Sequence, residues 1–268
     1  VKFSDPADTS YTKIFVGGKA NWVKVKTGME KAAAFLETHR YAYLMGGSLG
    51  FTKMEGTTVN IKDKIAYTAL QNIVDSMVKN NAKGWNEQSG IALDAALVAG
   101  GVLAHTLTGN QKDTNNNTIN SEWVAVHTKA LLMGEDIPAD TLGNLANPNK
   151  IGNPDNLKFS EKLRTLFIGE DSGYHVNNFV WAYNVDTKVL TRLMSMPSGA
   201  EATGLGVVDD LNGWTYITSN FQHAGDWGSI HNGVKATLEP LLNSNYKNRF
   251  GSAVGYLTAT TKALKLKK

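Results

Sequence analysis

Cysteine is missing from all 268 residues, which excludes disulfides, thiolate catalysis and cysteine-ligated zinc within the chain. Apolar runs are short as well. No window approaches the roughly 18 residues of a membrane span, and the start, VKFSDPADTS, lacks a charged segment leading into an apolar one. Because the sequence starts at Val1 and not at methionine, a processed or truncated start is expected, which is compatible with removal of an export signal. Charge of one sign is scarce too: 27 basic and 24 acidic residues leave a net +3, and only the terminal TKALKLKK is a basic cluster. With no basic stripe interleaved with aromatics, nucleic acid is disfavoured as a partner despite a pI near 8.8.

What is present changes along the chain. MEKAAAFLETHRYAYLM (29–45) is rich in helix formers, without interior Gly or Pro, and predicts one helix closed by Gly46 and Gly47. FTKMEGTTVNIKDKIAYTAL (51–70) mixes a β-rich beginning with an apolar run that could be strand or helix. GNQKDTNNNTIN (109–120) reads as an exposed loop, because Asn, Asp and Gly tolerate left-handed backbone. Residues 134–160 hold three of the six prolines and predict a long connection, of the kind that usually carries function.

Beyond it the pattern is plainly β. NFVWAYNV and VLTRLMSM alternate around DTK, and TGLGVVDDLNGWTYITSN gives two strands around Asn212-Gly213. Consecutive hairpins of this spacing predict a mainly β protein, a β-propeller or part of one, with antiparallel blades and a helical insertion. Residues 1–268 are expected to form a single such region.

Polar residues collect at the strand ends. Glu170 and Asp171 follow LFI, Glu201 precedes TGLGVV, and NFQHAGDW (220–227) follows YIT. Strand ends of several blades converge on a propeller's central mouth, where carboxylates would suit a hard cation such as Ca²⁺. Local readings compete with this one. Glu170 and Asp171 also fit ordinary turn carboxylates, and Asn177 and Asn178 fit loop caps. His223, Asp226 and His231 match no stereotyped ligand spacing.

Three stretches, WVKVKTGMEKAAAFLETHRYAYLMGGSLGFTKMEG (22–56), NPDNLKFSEKLRTLFIGEDSGYHVNNFVWAYNVDTKVLTRLMSMPSGAEATGL (153–205) and YITSNFQHAGDW (216–227), resemble the C-terminal part of PhoX-type alkaline phosphatases. The resemblance implies a calcium-dependent phosphomonoesterase on a β-propeller, with a Ca²⁺ and Fe³⁺ cluster in the central funnel. It implies an exported, periplasmic or secreted enzyme acting on small phosphate esters. Carried onto this sequence, it makes Glu55 of KMEG and Glu201 of GAEATG the central metal-ligating and catalytic carboxylates. Glu170, Asp171 and Asp226 become further metal ligands, His175, Asn177 and His223 supporting groups, and Lys53 the cation that neutralises substrate.

The departures are equally specific. Such phosphatases place a cysteine iron ligand in an N-terminal half, so the expectation is a region lacking that half, completed by a separate segment or by other copies of the chain. The alternative is a non-catalytic, calcium-binding propeller segment that assembles with other chains. A metal-dependent hydrolase of another class, such as a lactonase, is a third reading, because a fold does not fix its chemistry.

Overall fold

The computed structural model describes residues 2–3, 7–16, 19–47, 50–113, 115–247 and 250–262. By its contacts the chain divides into two compact units, residues 1–52 with 73–96 and residues 53–72 with 97–268. In the first, β1 (Lys2–Phe3), β2 (Thr12–Val16) and β3 (Lys19–Lys24) form an antiparallel sheet in the order β1-β3-β2. The helix predicted over 29–45 is two helices, α1 (Glu30–Leu36) and α2 (Thr38–Leu44), with Glu37 at φ −134° between them. Composition favours helix throughout this stretch; one residue with a non-helical backbone is enough to break it.

The second unit contains three antiparallel sheets of consecutive strands. The first is β4 (Met54–Asn60), β5 (Ile65–Leu70), β6 (Gly101–Thr108) and β7 (Val124–Met133). The second is β8 (Pro154–Ser160), β9 (Thr165–Glu170), β10 (Phe179–Asn184) and β11 (Leu190–Ser195). The third is β12 (Glu201–Leu211), β13 (Trp214–Gln222) and β14 (Ala253–Thr260), with α3 (Lys235–Tyr246) inserted before its last strand. The ambiguous stretch 51–70 is thus a hairpin. The connection predicted over 134–160 is shorter than expected, because β8 begins at Pro154.

These meanders are propeller-type blades. The first strand of each packs on the first strand of the next, β4 on β8 and β8 on β12. Close approach is possible because glycines sit where the blades touch: a Cβ on Gly56 would lie 2.4 Å from the Asp155 carbonyl oxygen, and one on Gly169 2.4 Å from that of Ala202. Between the first two blades lies an apolar core that includes Tyr67, Val102, Leu157, Leu166, Ile168 and Trp181. Between the second and third, Val180, Met196, Ala200 and Ala202 pack with Leu242 of α3. Full burial of one such large side chain contributes about 1.5–3 kcal/mol.

The first two blades repeat one another at a spacing of one hundred residues. Met54 pairs with Leu70 and Thr57 with Thr68; Pro154 pairs with Glu170 and Leu157 with Ile168. In each, two residues on the inner strand, Glu55-Gly56 or Asp155-Asn156, oppose one on its partner, which is a β-bulge. The backbone repeats as well, with positive φ at Lys53 and Asn153 and again at Lys64 and Arg164.

At the far end the hairpin turns are tied together. Arg164 bonds Asp63 and Asn60 of the first blade and Asp186 of its own, and Lys162 reaches Asp210 of the third at 2.6 Å. The β12–β13 turn is Asn212-Gly213 with φ of 53° and 84°, the left-handed pair that a tight hairpin requires. Among the described residues no helix is long and apolar enough to cross a membrane.

Candidate metal centre

The two bulges and the ends of the second strands bring acidic groups to one place. Glu55 and Asp155 are the first bulged residues of β4 and β8, Asp171 directly follows β9, Glu201 opens β12, and His223 directly follows β13. Asp171, Glu201 and His223 each offer a ligand atom, and these atoms all lie within 4.8 Å of one another. Asp155 shares a hydrogen bond with Glu201.

The electrostatics are those of like charges held together. Burial, followed by the charges of Glu55, Glu201 and Asp171, pushes the Asp155 carboxyl up to about 6. Burial and the charge of Glu201 raise Asp171 as well, opposed by a hydrogen bond from Gln71. Each carboxylate makes it harder for its neighbour to ionise. Lys53 brings an ammonium to the cluster, 2.6 Å from Glu55 Oε1, and that hydrogen bond is the main cause of its raised pKa.

Two glutamines and a backbone carbonyl hold the set in place. Gln71 Nε2 donates to the Asp171 carbonyl oxygen at 3.0 Å and to its Oδ2 at 2.7 Å, while Gln222 Nε2 donates to Glu201 Oε2. His223, at φ 46°, places Nδ1 3.1 Å from the Gly199 carbonyl oxygen and Nε2 3.3 Å from Glu201 Oε2. A carbonyl only accepts, so Nδ1 carries the proton. In neutral imidazole, Nε2 then faces a carboxylate oxygen lone pair to lone pair, and this contact is favourable only with a proton or a cation between them. A nitrogen ligand whose other ring N–H is given to a backbone carbonyl is the usual arrangement of metal-bound histidine.

The residues singled out from sequence separate into two groups. Glu55, Asp171 and Glu201 come together with Lys53 beside them. His223, expected to play a supporting part, has a ring nitrogen within 4.8 Å of the Asp171 and Glu201 oxygens. Asp226 is exposed and lines a cleft of about 300 Å³ with Asp171 and His223, but lies outside the tight group.

Glu170 goes elsewhere. It is completely buried, and four donors occupy its two oxygens: Gly152 N and Trp181 Nε1 on Oε1, Phe179 N and His175 Nδ1 on Oε2, at 2.6–3.0 Å. With about four lone-pair sites filled, it is a core carboxylate and not a ligand, and His175 belongs to this buried pair. Asn177 Nδ2 bonds the Met196 carbonyl and Asn178 Nδ2 that of Ala200, so both brace the loop.

Asp155 went unrecognised in the sequence, hidden behind Pro154 in a run that reads as a loop. The signal that could have found it is its spacing of one hundred from Glu55.

Compared with solved structures, the chain is similar to "Pseudomonas fluorescens PhoX in complex with vanadate, a transition state analogue", with a TM-score of 0.54 and 18% identity over 94% of this chain. It spans 44% of the length of that protein. No family model and no curated protein sequence matches it. At that identity the likeness is one of architecture: over nearly its whole length, this chain has the fold of part of PhoX.

Proposed function

We propose that Asp155, Asp171, Glu201 and His223, with Glu55 at the margin, bind a divalent cation, calcium, and that this centre serves hydrolysis of phosphate monoesters within a larger propeller. The observation that carries the reading is the convergence of these carboxylates on His223, with Asp155 pushed up to about 6. The donor set suits the ion. Carboxylate oxygens are what a hard cation prefers, and a bound cation removes the mutual repulsion that raises Asp155 and Asp171. The set contains no thiolate, so Fe³⁺ here would have carboxylate and imidazole ligands only.

When bound, the ion supplies charge neutralisation at a phosphoryl oxygen and lowers the pKa of an attacking water. The side chains do the rest. Gln71 and Gln222 orient two carboxylates, and Lys53, half exposed, supplies an ammonium that can pair with a phosphate oxygen. The Gly199 carbonyl holds His223 with its Nε2 lone pair toward the cluster. Export to a calcium-rich compartment is part of the same proposal, because millimolar calcium fills even weak sites.

A second reading is a cation-binding propeller segment without catalysis. It is favoured by the absence of cysteine from the sequence. One experiment separates the two: release of p-nitrophenol from its phosphate ester at alkaline pH, before and after chelation and calcium re-addition, with the melting temperature followed in parallel. Calcium-dependent turnover supports the enzyme, and calcium-dependent stabilisation without turnover supports the segment. No response in either measurement removes both. Hydrolysis of carboxylic esters or lactones without phosphate release would point to a different hydrolase.

A further inference from the structure

We propose that Gln71 is a positioning residue that sets the affinity of the cation centre through Asp171 while contributing no ligand atom itself. The inference rests on the cation-binding reading above. Gln71 occupies in the first blade the place that Asp171 occupies in the second, one hundred residues on and directly after the strand that pairs with the bulge. One blade therefore presents a carboxylate at this position and the other an amide.

The amide is committed to its counterpart. Gln71 Nε2 donates to Asp171 twice, once to the main-chain oxygen and once to Oδ2. Gripping the backbone and the carboxylate together restrains the Asp171 side-chain torsion, so the carboxylate orientation is fixed before a cation arrives. Gln71 is itself held: it is 8% exposed, its N–H donates to the Lys53 carbonyl at 3.0 Å, and its carbonyl accepts from Asn153 Nδ2 at 2.8 Å. Asn153 in turn accepts the Asp171 N–H on its own carbonyl at 3.2 Å. Gln71, Asn153 and Asp171 thus close a ring of hydrogen bonds joining the two blades at the mouth. A glutamate at 71 could not fill this place, because it would set an acceptor against two acceptors.

Supporting groups of this kind are worth about 10–100-fold in metal affinity. The test is a double-mutant cycle on the 268-residue chain, with calcium affinity measured by calorimetry and Tb³⁺ by sensitised luminescence. Gln71→Met keeps the shape and removes the donor, and should weaken both ions about tenfold or more. In an Asp171→Asn background it should change affinity by no more than about twofold, because its effect passes through that carboxylate. If Gln71→Met fails to fold, Gln71→Asn, one methylene short of the contact, should show the same Asp171-dependent loss. Unchanged affinity, or an equal loss in both backgrounds, overturns the proposal alone. Failure of the unsubstituted chain to bind either ion overturns the proposal together with the reading beneath it.

Discussion

Glu55 and Asp155 are counterparts, each the first bulged residue on the inner strand of its blade, and the charge of the first makes the second harder to ionise. A bulge adds a residue to one strand and re-aims its side chain. Two bulges at the same place on adjacent blades therefore aim two carboxyls at one mouth, and that mouth is poorly suited to being empty.

The first expected outcome is a pH dependence with a definite sign. Asp155 has a folded pKa of about 6 against an ordinary value of 3.8, so the native state holds its proton more tightly than the unfolded chain. Its contribution to stability is complete below about pH 4 and is lost as pH rises through 6. Asp155 is partly exposed to solvent, and screening leaves about 1 kcal/mol of this, a few degrees of melting temperature in a unit of this size. In chelator, melting of the unsubstituted protein should fall relative to Asp155→Asn between pH 4.5 and 7.5. A constant difference between the two curves would contradict the assignment.

Glu201→Gln keeps size and one acceptor oxygen but removes a charge in contact with both His223 and Asp155. Calcium affinity should fall by about a hundredfold, while the calcium-free protein melts at the same temperature or higher because a repelling charge is gone. Calorimetry and thermal melting with and without chelator measure the two effects. Retained affinity would place the centre elsewhere.

Glu170→Gln should do the reverse. The amide would press its own N–H groups against donors among Gly152, Phe179, Trp181 and His175, costing about 2–4 kcal/mol. Calcium affinity of the folded fraction should be unchanged. A hundredfold loss of affinity without loss of stability would restore Glu170 as a ligand.

Lys53→Met separates cation binding from turnover. Removing the ammonium beside Glu55 leaves the mouth more negative, so calcium should bind about fivefold more tightly, on the order of 1 kcal/mol at a partly solvated site. Hydrolysis of p-nitrophenyl phosphate, where the preparation shows it, should drop through kcat/KM. Weaker calcium binding in this variant would mean that Lys53 supports the ligand geometry and does not oppose the charge.

The later blades were the legible part of the fold. The short apolar, aromatic-rich run in NFVWAYNV and the Asn212-Gly213 turn leave few alternatives to hairpins, and Glu201 and Asp171 are readable once strand ends are taken as the rim of a mouth. Glu170 and Asp171 show the limit of that reasoning. They are adjacent in sequence, yet strand parity puts Glu170 on the same face as Leu166 and Ile168, both of them core residues, while the strand ends before Asp171. Nothing local says that the buried face will supply four donors to accept a carboxylate. Asp155 escaped for a different reason: a bulge leaves no periodic trace, and the Asn and Pro before it favour a turn reading over a strand start. Glu37, which breaks the predicted helix, belongs to a residue type that ordinarily extends one.

The hundred-residue repeat also bears on how the chain reaches its native pairing. Two hairpins with the same register, bulge and turn geometry could in principle exchange places, a hazard familiar in repeat proteins whose neighbouring modules are alike. Here the eighteen paired positions from Met54/Pro154 to Gln71/Asp171 share one residue, the lysine at 62 and 162. Backbone similarity is thus combined with almost complete side-chain divergence. The two hairpins turn different positions into the core they share, Tyr67 and Ala69 from one and Leu166 and Ile168 from the other, and a swapped arrangement would bury the Glu170 carboxylate without its donors. The charge hidden in the second blade therefore also serves as an address, telling the nascent sheet which of its two look-alike hairpins belongs beside Trp181.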